Sequence, residues 1–579
     1  MLAMRITPPW TSLCHLCQFR ISHDENTVTV TEDGKVSEIS QYETVSSEIL
    51  RVVCHPECVG IAGQERYKIA LATSYAYEPP MGEIKRRVAW LNSDLSSRLV
   101  LFKPLPPELH EEIAKLLLRE YAVANAARYW TPLPRQSADI CVDVSAEVWV
   151  RFTEFEGIKY ISDLANSPSP GYEVMFVPDL TRRVDCMYVS EDHLGVRQIC
   201  FSSCEEVPPA TPSFGVWWTI SQTASIKPKV LGKFDGIKLR DVGWAEPVHE
   251  LSPVSRCMWE IPLPPTTQIS FSTIRKPSHD LFYDLLKPLC ISNKARSRMA
   301  LLRCNELHIT GYSVFLDGNI KYIHAHIHGE NLSFYDHPPC ADGVWLYMPL
   351  QHGEFLEDIW IRRHNFLDGT GLVFRTNRGR IMTAGPYLHV GHPTYSWGHV
   401  QTLEHAPSRL FFRYSSEGIS ELGLETSPPI LRKNAVGLIP FSPPPNSLSF
   451  TCYFFSRASL EDVVEVTPCC MSRADVSAII GLLFRYADGH QWSVGEVRLD
   501  LLQDSIQVNS SEKMTLGFSA PDKYPYVASI HHCRVDRGQS DRSRLMLLDI
   551  HWTGYLEWWF NSWQCKVYHN GQASPETRH

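Results

Sequence analysis

The chain has 579 residues, and its 55 Lys and Arg against 64 Asp and Glu give a formal net charge of −9. At about 150 residues per domain, this length predicts roughly four structural units. With 44% hydrophobic and 21% charged residues, the composition excludes a disordered or collagen-like chain. The negative net charge argues against nucleic-acid binding through a large positive field. Aromatic residues, at 11%, favour packed β-structure or binding surfaces.

The sequence shows neither a membrane segment nor an export signal. The first 20 residues hold a proline pair and two cysteines but no apolar core of signal-peptide length. Apolar runs such as 545–548 are far shorter than the roughly 20 residues that a membrane helix needs. The 17 cysteines are odd in number, so we do not expect a disulfide framework. We therefore expect a cytoplasmic or nuclear protein with reduced cysteines and no membrane or nucleic-acid partner.

Changes in residue pattern and composition divide the chain into five segments. Alternation at period two in 147–152 and 372–376 predicts strands, whereas 104–130 is the clearest helical stretch. Proline clusters at 428–429 and 443–445 separate the last two segments. We predict a mainly β, multidomain fold with these segments: a cysteine-paired zinc module (1–70), a short helical segment (71–135), a β-rich domain (136–340) and two β modules (341–426 and 446–579).

A repeat supports the division between the last two modules. Residues 371–379, followed by Gly385, recur 110 positions later as 481–489, followed by Gly495. Both copies carry a Leu-x-Phe-Arg core and a turn that ends in glycine, which predicts a strand, a tight turn and a second strand. We therefore predict a duplicated, β-prism-like or sandwich-like hairpin unit. The alternative is two unrelated hairpins that share turn chemistry.

The first copy, over 372–380 and 385–387, resembles the hairpin of jacalin-like β-prism modules. Residues 357–362 are similar to the strand that precedes this hairpin in that family. The resemblance implies a β-prism fold and glycan binding through a C-terminal Gly-x-x-x-Asp loop. The corresponding segment here, 554–560, lacks the aspartate, so the resemblance implies the fold more strongly than sugar binding.

Two cysteine pairs near the start of the chain have the spacing of a metal site. Cys14 and Cys17 are followed by Cys54 and Cys58. Four thiolates on two tight turns can bind one tetrahedral Zn²⁺, and His55 could replace Cys54 as a ligand. Four protein ligands leave no open position, so the predicted zinc is structural. The alternative is that these residues are ordinary buried thiols.

The clearest helical stretch begins after a proline and has acidic residues in its first turns, as helices commonly do. Leu109, Ile113, Leu116 and Leu117 recur at helical spacing and predict one apolar stripe. One alternative for this helix is that it packs on its own β domain.

The pattern Leu-Pro-x-Glu-Leu-x-x-x-Ile over 105–113 resembles the opening of an F-box, the helical module that binds a Skp1-type adaptor of ubiquitin ligases. The continuation over 120–130 is alanine-rich and departs from the second half of an F-box. With the cysteine module and the long β-rich region, the layout is similar to F-box-like proteins of filamentous fungi. The resemblance implies that these side chains face the adaptor: Leu105, Pro106, Leu109, Ile113 and Leu116.

Histidines are crowded between 324 and 405, and three of them alternate over 324–328, which would place them on one strand face. With Glu330 they have the spacing His-x-His-x-x-x-Glu, which is similar to the first metal motif of cupins, but the second cupin motif is absent. The alternative is a solvated polar strand face. A second metal site could combine two of these residues with a third histidine: His324, His326 and either His392 or His389.

Signatures of common enzymes are absent from the sequence. It contains no Gly-x-Ser-x-Gly elbow, dinucleotide fingerprint, phosphate loop or His-Glu-x-x-His motif. We therefore predict a non-enzymatic adaptor, in which the helix recruits the ubiquitin machinery and the β modules hold a substrate through apolar anchors. The alternatives are a lectin-like glycan-binding protein and a histidine-metal enzyme of secondary metabolism.

Overall fold

The computed structural model divides the chain into two compact units, each described here by itself. Unit 1 comprises Met1–Gln268 and Ser278–Met299, and unit 2 comprises Ile269–Pro277 and Ala300–His579. The predicted mainly β, multidomain class is confirmed, whereas the boundaries of the five segments stay a prediction. The structure describes these residues: 13–22, 24–38, 52–100, 106–131, 139–179, 181–210, 213, 215–248, 252–274, 296–336, 343–364, 371–387, 395–413, 418–425, 439–445, 453–473, 476–519, 525–532 and 545–575.

The described α-helices all belong to unit 1. They are α1 (Pro56–Ala62), α2 (Arg66–Thr73), α3 (Met81–Leu99), α4 (Pro107–Leu116) and α5 (Leu118–Tyr129). The last two fall within the helical stretch that the sequence predicts. Proline at the first position of α4 suits a helix start, since the first N–H groups have no partner inside the helix. Leu117, with φ −109° and ψ 14°, separates α4 from α5.

The strands of unit 1 pair antiparallel with one another in the neighbour orders β2-β1-β3, β12-β11-β4, β6-β5-β7 and β13-β10-β8-β9. Their bounds are β1 (Val28–Val30), β2 (Val36–Glu38), β3 (Val52–Cys54), β4 (Asp139–Asp143), β5 (Val148–Phe155), β6 (Ile158–Ala165), β7 (Glu173–Phe176), β8 (Cys186–Glu191), β9 (Val196–Ser202), β10 (Trp217–Gln222), β11 (Lys229–Phe234), β12 (Leu239–Trp244) and β13 (Cys257–Trp259).

The cysteine-paired region, helices α1, α2, α3 and α5, and the β5–β6 hairpin share one apolar core, to which Cys14, Ala122 and Phe155 belong. A buried ion pair joins two of these elements. Arg87 of α3 donates to both carboxylate oxygens of Glu156, in the β5–β6 turn, at 2.5 and 2.7 Å. Removing either partner would leave a buried charge without its counterpart, so the pair fixes α3 against the hairpin.

The remaining described strands form several sheets, and all of them except residues 297–299 belong to unit 2. Their bounds are β14 (Ile269–Thr273), β15 (Ser297–Cys304), β16 (Ile309–Asp317), β17 (Asn319–Ile327), β18 (Val344–Pro349), β19 (Leu356–His364), β20 (Gly371–Thr376), β21 (Ile381–Ala384), β22 (Tyr395–Thr402), β23 (Ser408–Arg413), β24 (Glu421–Glu425), β25 (Phe454–Ser459), β26 (Val463–Arg473), β27 (Val476–Tyr486), β28 (Gln491–Gly495), β29 (Ile506–Gln507), β30 (Met514–Ser519), β31 (Tyr526–His532), β32 (Met546–Ile550), β33 (Tyr555–Phe560), β34 (Cys565–His569) and β35 (Gln572–Ala573).

Both copies of the predicted repeat form a hairpin with the same strand register, whereas their origin by duplication stays a prediction. Leu372 of β20 pairs with Ala384 of β21, and Leu482 of β27 pairs with Val494 of β28, so the same positions of both copies are partners. The turn glycines of both hairpins have positive φ, 77° in the first copy and 89° in the second. Each copy also joins an arginine to an acid on the preceding strand: Arg375 to Asp358 of β19, and Arg485 to Glu465 of β26.

Candidate metal centre

The first half of the centre is a tight turn around Cys14 and Cys17. The Cys14 N–H donates to the Phe19 carbonyl at 2.9 Å, and the Gln18 N–H donates to the Cys14 carbonyl at 2.7 Å. Gln18 has a φ of 59°, which lets the chain reverse within a few residues. The Phe19 N–H donates to Cys17 Sγ at 3.5 Å. The turn thereby brings both sulfurs to one side and gives one of them a hydrogen-bond donor.

The second half is the junction between a strand and a helix. β3 ends at Cys54, which pairs with Val28 of β1. His55 follows as the residue before α1, and Pro56 is the first residue of that helix. Cys58 lies in the first turn of α1, whose first N–H groups have no partner inside the helix. Strand pairing and the start of the helix thus fix the positions of the three candidate ligands.

Four buried ligand atoms converge between these two halves. Cys14, Cys17, His55 and Cys58 place them within 4.8 Å of one another. His55 Nδ1 lies 3.5 Å from Cys17 Sγ and 3.6 Å from Cys58 Sγ. Three sulfurs and one imidazole nitrogen fit a tetrahedral metal site, so the cluster could hold a metal ion. The predicted ligand Cys54 is buried and contacts Cys14, but His55 occupies its place in this set of four.

The cluster of thiols needs a cation before all of its members can ionise. Burial opposes ionisation of Cys14, but hydrogen bonds from Cys17, Cys54 and Cys58 hold its pKa well below the ordinary value. The hydrogen bond to Cys14 in turn raises the pKa of Cys17 to about 12. A hydrogen bond between Cys58 and Cys14 likewise raises the pKa of Cys58. One thiolate is favoured, and a bound metal ionises the others by displacing their protons.

A carboxylate lies behind His55. The Nε2 atom of His55 is 3.5 Å from Glu25 Oε2, and Glu25 accepts a hydrogen bond from Arg119 Nη1 of α5 at 2.5 Å. Metal-binding histidines commonly donate the second ring N–H to such a partner, whereas here Nε2 lies near Glu25 without a hydrogen bond. Nothing in the sequence spacing pointed to Glu25 and Arg119, which are 94 positions apart.

The predicted adaptor-facing stripe lies on α4 and at its C-terminal end. Leu109 is 46% exposed, Leu116 is 81% exposed and Leu117 is 41% exposed. Ile113 lies between them and is partly buried. Of the other two predicted residues, Pro106 is exposed and Leu105 lies outside the described residues. An apolar surface is therefore accessible on α4, at positions that the helical spacing indicated.

The second predicted metal site is described only in part. His324 and His326 lie on β17, and their ring nitrogens and the Glu330 carboxylate are within 4.8 Å of one another. His392 and the alternative His389 lie outside the described residues. A third group that the spacing did not indicate, on β8 and after β9, brings together Asp185, Cys186 and Cys204.

No family model matches the chain, and no curated protein matches it. None of the described helices is both long enough and apolar enough to cross a membrane. The resemblances to F-box and jacalin-like modules and the predicted glycan partner stay predictions.

Proposed function

We propose that the chain is a non-enzymatic adaptor, in which α4 binds a Skp1-type adaptor of a ubiquitin ligase and the β-rich unit 2 recruits the protein to be modified. The observation that carries the proposal is the exposure of Leu109 and Leu116 on one face of α4. Burying one such side chain contributes about 1.5–3 kcal/mol. A partner with an apolar groove would gain this free energy on binding.

The remaining faces of α4 suit a docking helix. His110 and Ala114 are buried, and α4 packs against α3, so the helix is anchored while the stripe stays accessible. Glu108 and Glu111 are exposed beside the stripe, and Lys115 pairs with Glu111 at 3.1 Å. This acidic flank would complement a basic rim on the partner and would favour one orientation of binding.

We further propose that the ion in the Cys/His cluster is zinc and that its role is structural. Three sulfurs and one nitrogen are a common zinc ligand set, and four protein ligands leave no position for a substrate. The contact from Glu25 to Arg119 links the cluster to α5, which directly follows α4. The metal would thus stabilise the module that supports the docking helix.

Calorimetric titration of the full-length chain with a purified Skp1-type adaptor tests the docking proposal. We expect the wild type to bind. Leu116→Asp should bind at least about tenfold more weakly, because it places a charge in an apolar groove. The double variant Leu109→Asp/Ile113→Asp should not bind measurably.

Ile226→Asp is the matched control, since Ile226 is an apolar residue of unit 1 outside α4 and is 95% exposed. It should bind as the wild type does. Circular dichroism should show that Leu116→Asp keeps its fold, because this side chain is mostly in solvent. The absence of binding by the wild type, or unchanged binding by the α4 variants, would overturn the proposal.

A further inference from the structure

Two histidines and a glutamate of unit 2 meet through one strand and the turn that follows it. His324 and His326 are two positions apart on β17, so their side chains share one face. The chain turns through Gly329, whose φ is 73°, and Glu330 returns to the two rings. Glu330 Oε2 lies 2.8 Å from His324 Nε2, and Glu330 Oε1 hydrogen-bonds His326 Nδ1. One carboxylate therefore spans both imidazoles.

The second ring nitrogen of His326 is held by hydroxyl groups. Nε2 lies 2.7 Å from Ser313 Oγ of β16 and 3.2 Å from the Tyr335 hydroxyl, and these two hydroxyls are 3.0 Å apart. The His326 side chain is fully buried, so the contacts fix its ring. The hydrogen bond to Glu330 places a proton on Nδ1. The other tautomer, in which Nε2–H donates to Ser313, would free the Nδ1 lone pair for a metal ion.

Aromatic rings cover the cluster on some sides, while another side is accessible. Phe334 stacks on the His324 ring with 4.0 Å between centroids, and Tyr347 lies edge-on to His326 at 5.3 Å. The side chains of His324 and Glu330 remain 21% and 13% exposed. A cation can therefore reach the cluster with some of its water ligands, and the apolar surroundings strengthen its attraction to the carboxylate.

We propose that His324 Nε2, His326 Nδ1 and the Glu330 carboxylate bind one first-row divalent cation of the class Mn²⁺, Fe²⁺ or Zn²⁺. Two imidazoles and a carboxylate suit these ions. The ligand atoms already lie within 4.8 Å of one another, so small side-chain rotations give bonds of about 2.0–2.2 Å. Three protein ligands leave positions for water or for a small ligand with oxygen donors. The site belongs to unit 2 whether or not α4 binds an adaptor.

Titration of the full-length chain with Mn²⁺, followed by the loss of the electron paramagnetic resonance signal of the free ion, tests the site. Mn²⁺ prefers oxygen and nitrogen ligands, so the thiol cluster of unit 1 competes little for it. We expect one bound Mn²⁺ per chain. Glu330→Gln and His324→Gln should each weaken binding at least about tenfold, because each removes one ligand while keeping a hydrogen-bonding side chain.

His328→Gln is the matched control, because His328 is an exposed histidine beside the same turn. It should bind Mn²⁺ as the wild type does. If the wild type binds no Mn²⁺, or if both ligand variants bind it unchanged, the three residues form only a hydrogen-bonded cluster and the inference is wrong. Circular dichroism of the two variants separates lost binding from lost folding.

Discussion

The Cys/His cluster of unit 1 and the His/Glu cluster of unit 2 differ in the ligand atoms that they offer and in whether they leave a coordination position free. Three sulfurs and a nitrogen, all on buried residues, make up the first cluster. Two nitrogens and a carboxylate make up the second, in which His326 is buried and the other two residues are partly exposed. Four soft ligands leave a cation no free position, while three nitrogen and oxygen ligands do. The first arrangement suits a role in holding the chain together. The second suits the binding of a further ligand.

Metal removal should produce the largest difference in stability between the two regions. A strong chelator, or Cys14→Ser, should unfold the cysteine-paired module, because metal binding supplies about 10 kcal/mol or more to the folding of such modules. The His/Glu cluster should keep its fold, since Ser313 and Tyr335 hold His326 without a cation. Hydrogen exchange with mass spectrometry measures both regions in one sample.

Cys257→Ser is the matched control for the cysteine variant, because Cys257 is a buried cysteine of unit 1 outside the cluster. It should retain the bound metal. Equal loss of protection in both regions, or no loss after chelation, would break the distinction between a structural and an open site.

Acid should weaken unit 1 through a histidine that is not a ligand. Burial lowers the pKa of His193 to about 3, whereas the unfolded chain protonates this ring near pH 6.5. The unfolded state therefore binds more protons below about pH 6.5, so the free energy of unfolding falls as the pH drops towards 3. The total loss is up to about 5 kcal/mol.

Urea unfolding of the metal-loaded chain at several pH values, read by hydrogen exchange in unit 1, measures this dependence. His193→Gln should flatten it, and an unchanged slope in the variant would contradict the assignment. The difference between the wild type and His193→Gln isolates the effect of His193. Protonation of the cysteines, which also releases metal in acid, affects both proteins equally.

The smallest effect is expected from replacing Glu25, whose carboxylate lies next to His55. Glu25→Gln should weaken zinc binding about tenfold, since it removes the charged partner of the ligand imidazole. Competition with a chromophoric chelator measures the affinity. Glu32→Gln, an exposed residue of the same module, should have no effect, and equal affinities for both variants would show that Glu25 does not support the site.

Sequence spacing predicted those features that local geometry determines. Strand alternation and turn glycines fix the register of a hairpin, and the two copies have the same register at Leu372 and Leu482. Helical spacing also placed Leu109 and Leu116 on one face. Spacing could not show whether that face is covered, because coverage depends on the rest of the fold.

The remaining parts of the sites depend on contacts that spacing does not encode. At the junction of β3 and α1, His55 and not Cys54 joins the group of four. Glu25 and Arg119 meet through the tertiary fold, although they are 94 positions apart. Glu330 was visible in the sequence, but its approach to the two histidines depends on the turn through Gly329.

The common register of the two hairpins has a consequence for how unit 2 reaches its native pairing. While the chain is unfolded, register alone would allow β20 to pair with β28 in place of β21, so each copy offers the other a competing partner. Matching positions carry side chains of different bulk, Met382 opposite Phe374 and Trp492 opposite Phe484. Divergence between the copies thus protects against strand exchange, and making their sequences identical would favour misfolded and aggregated chains.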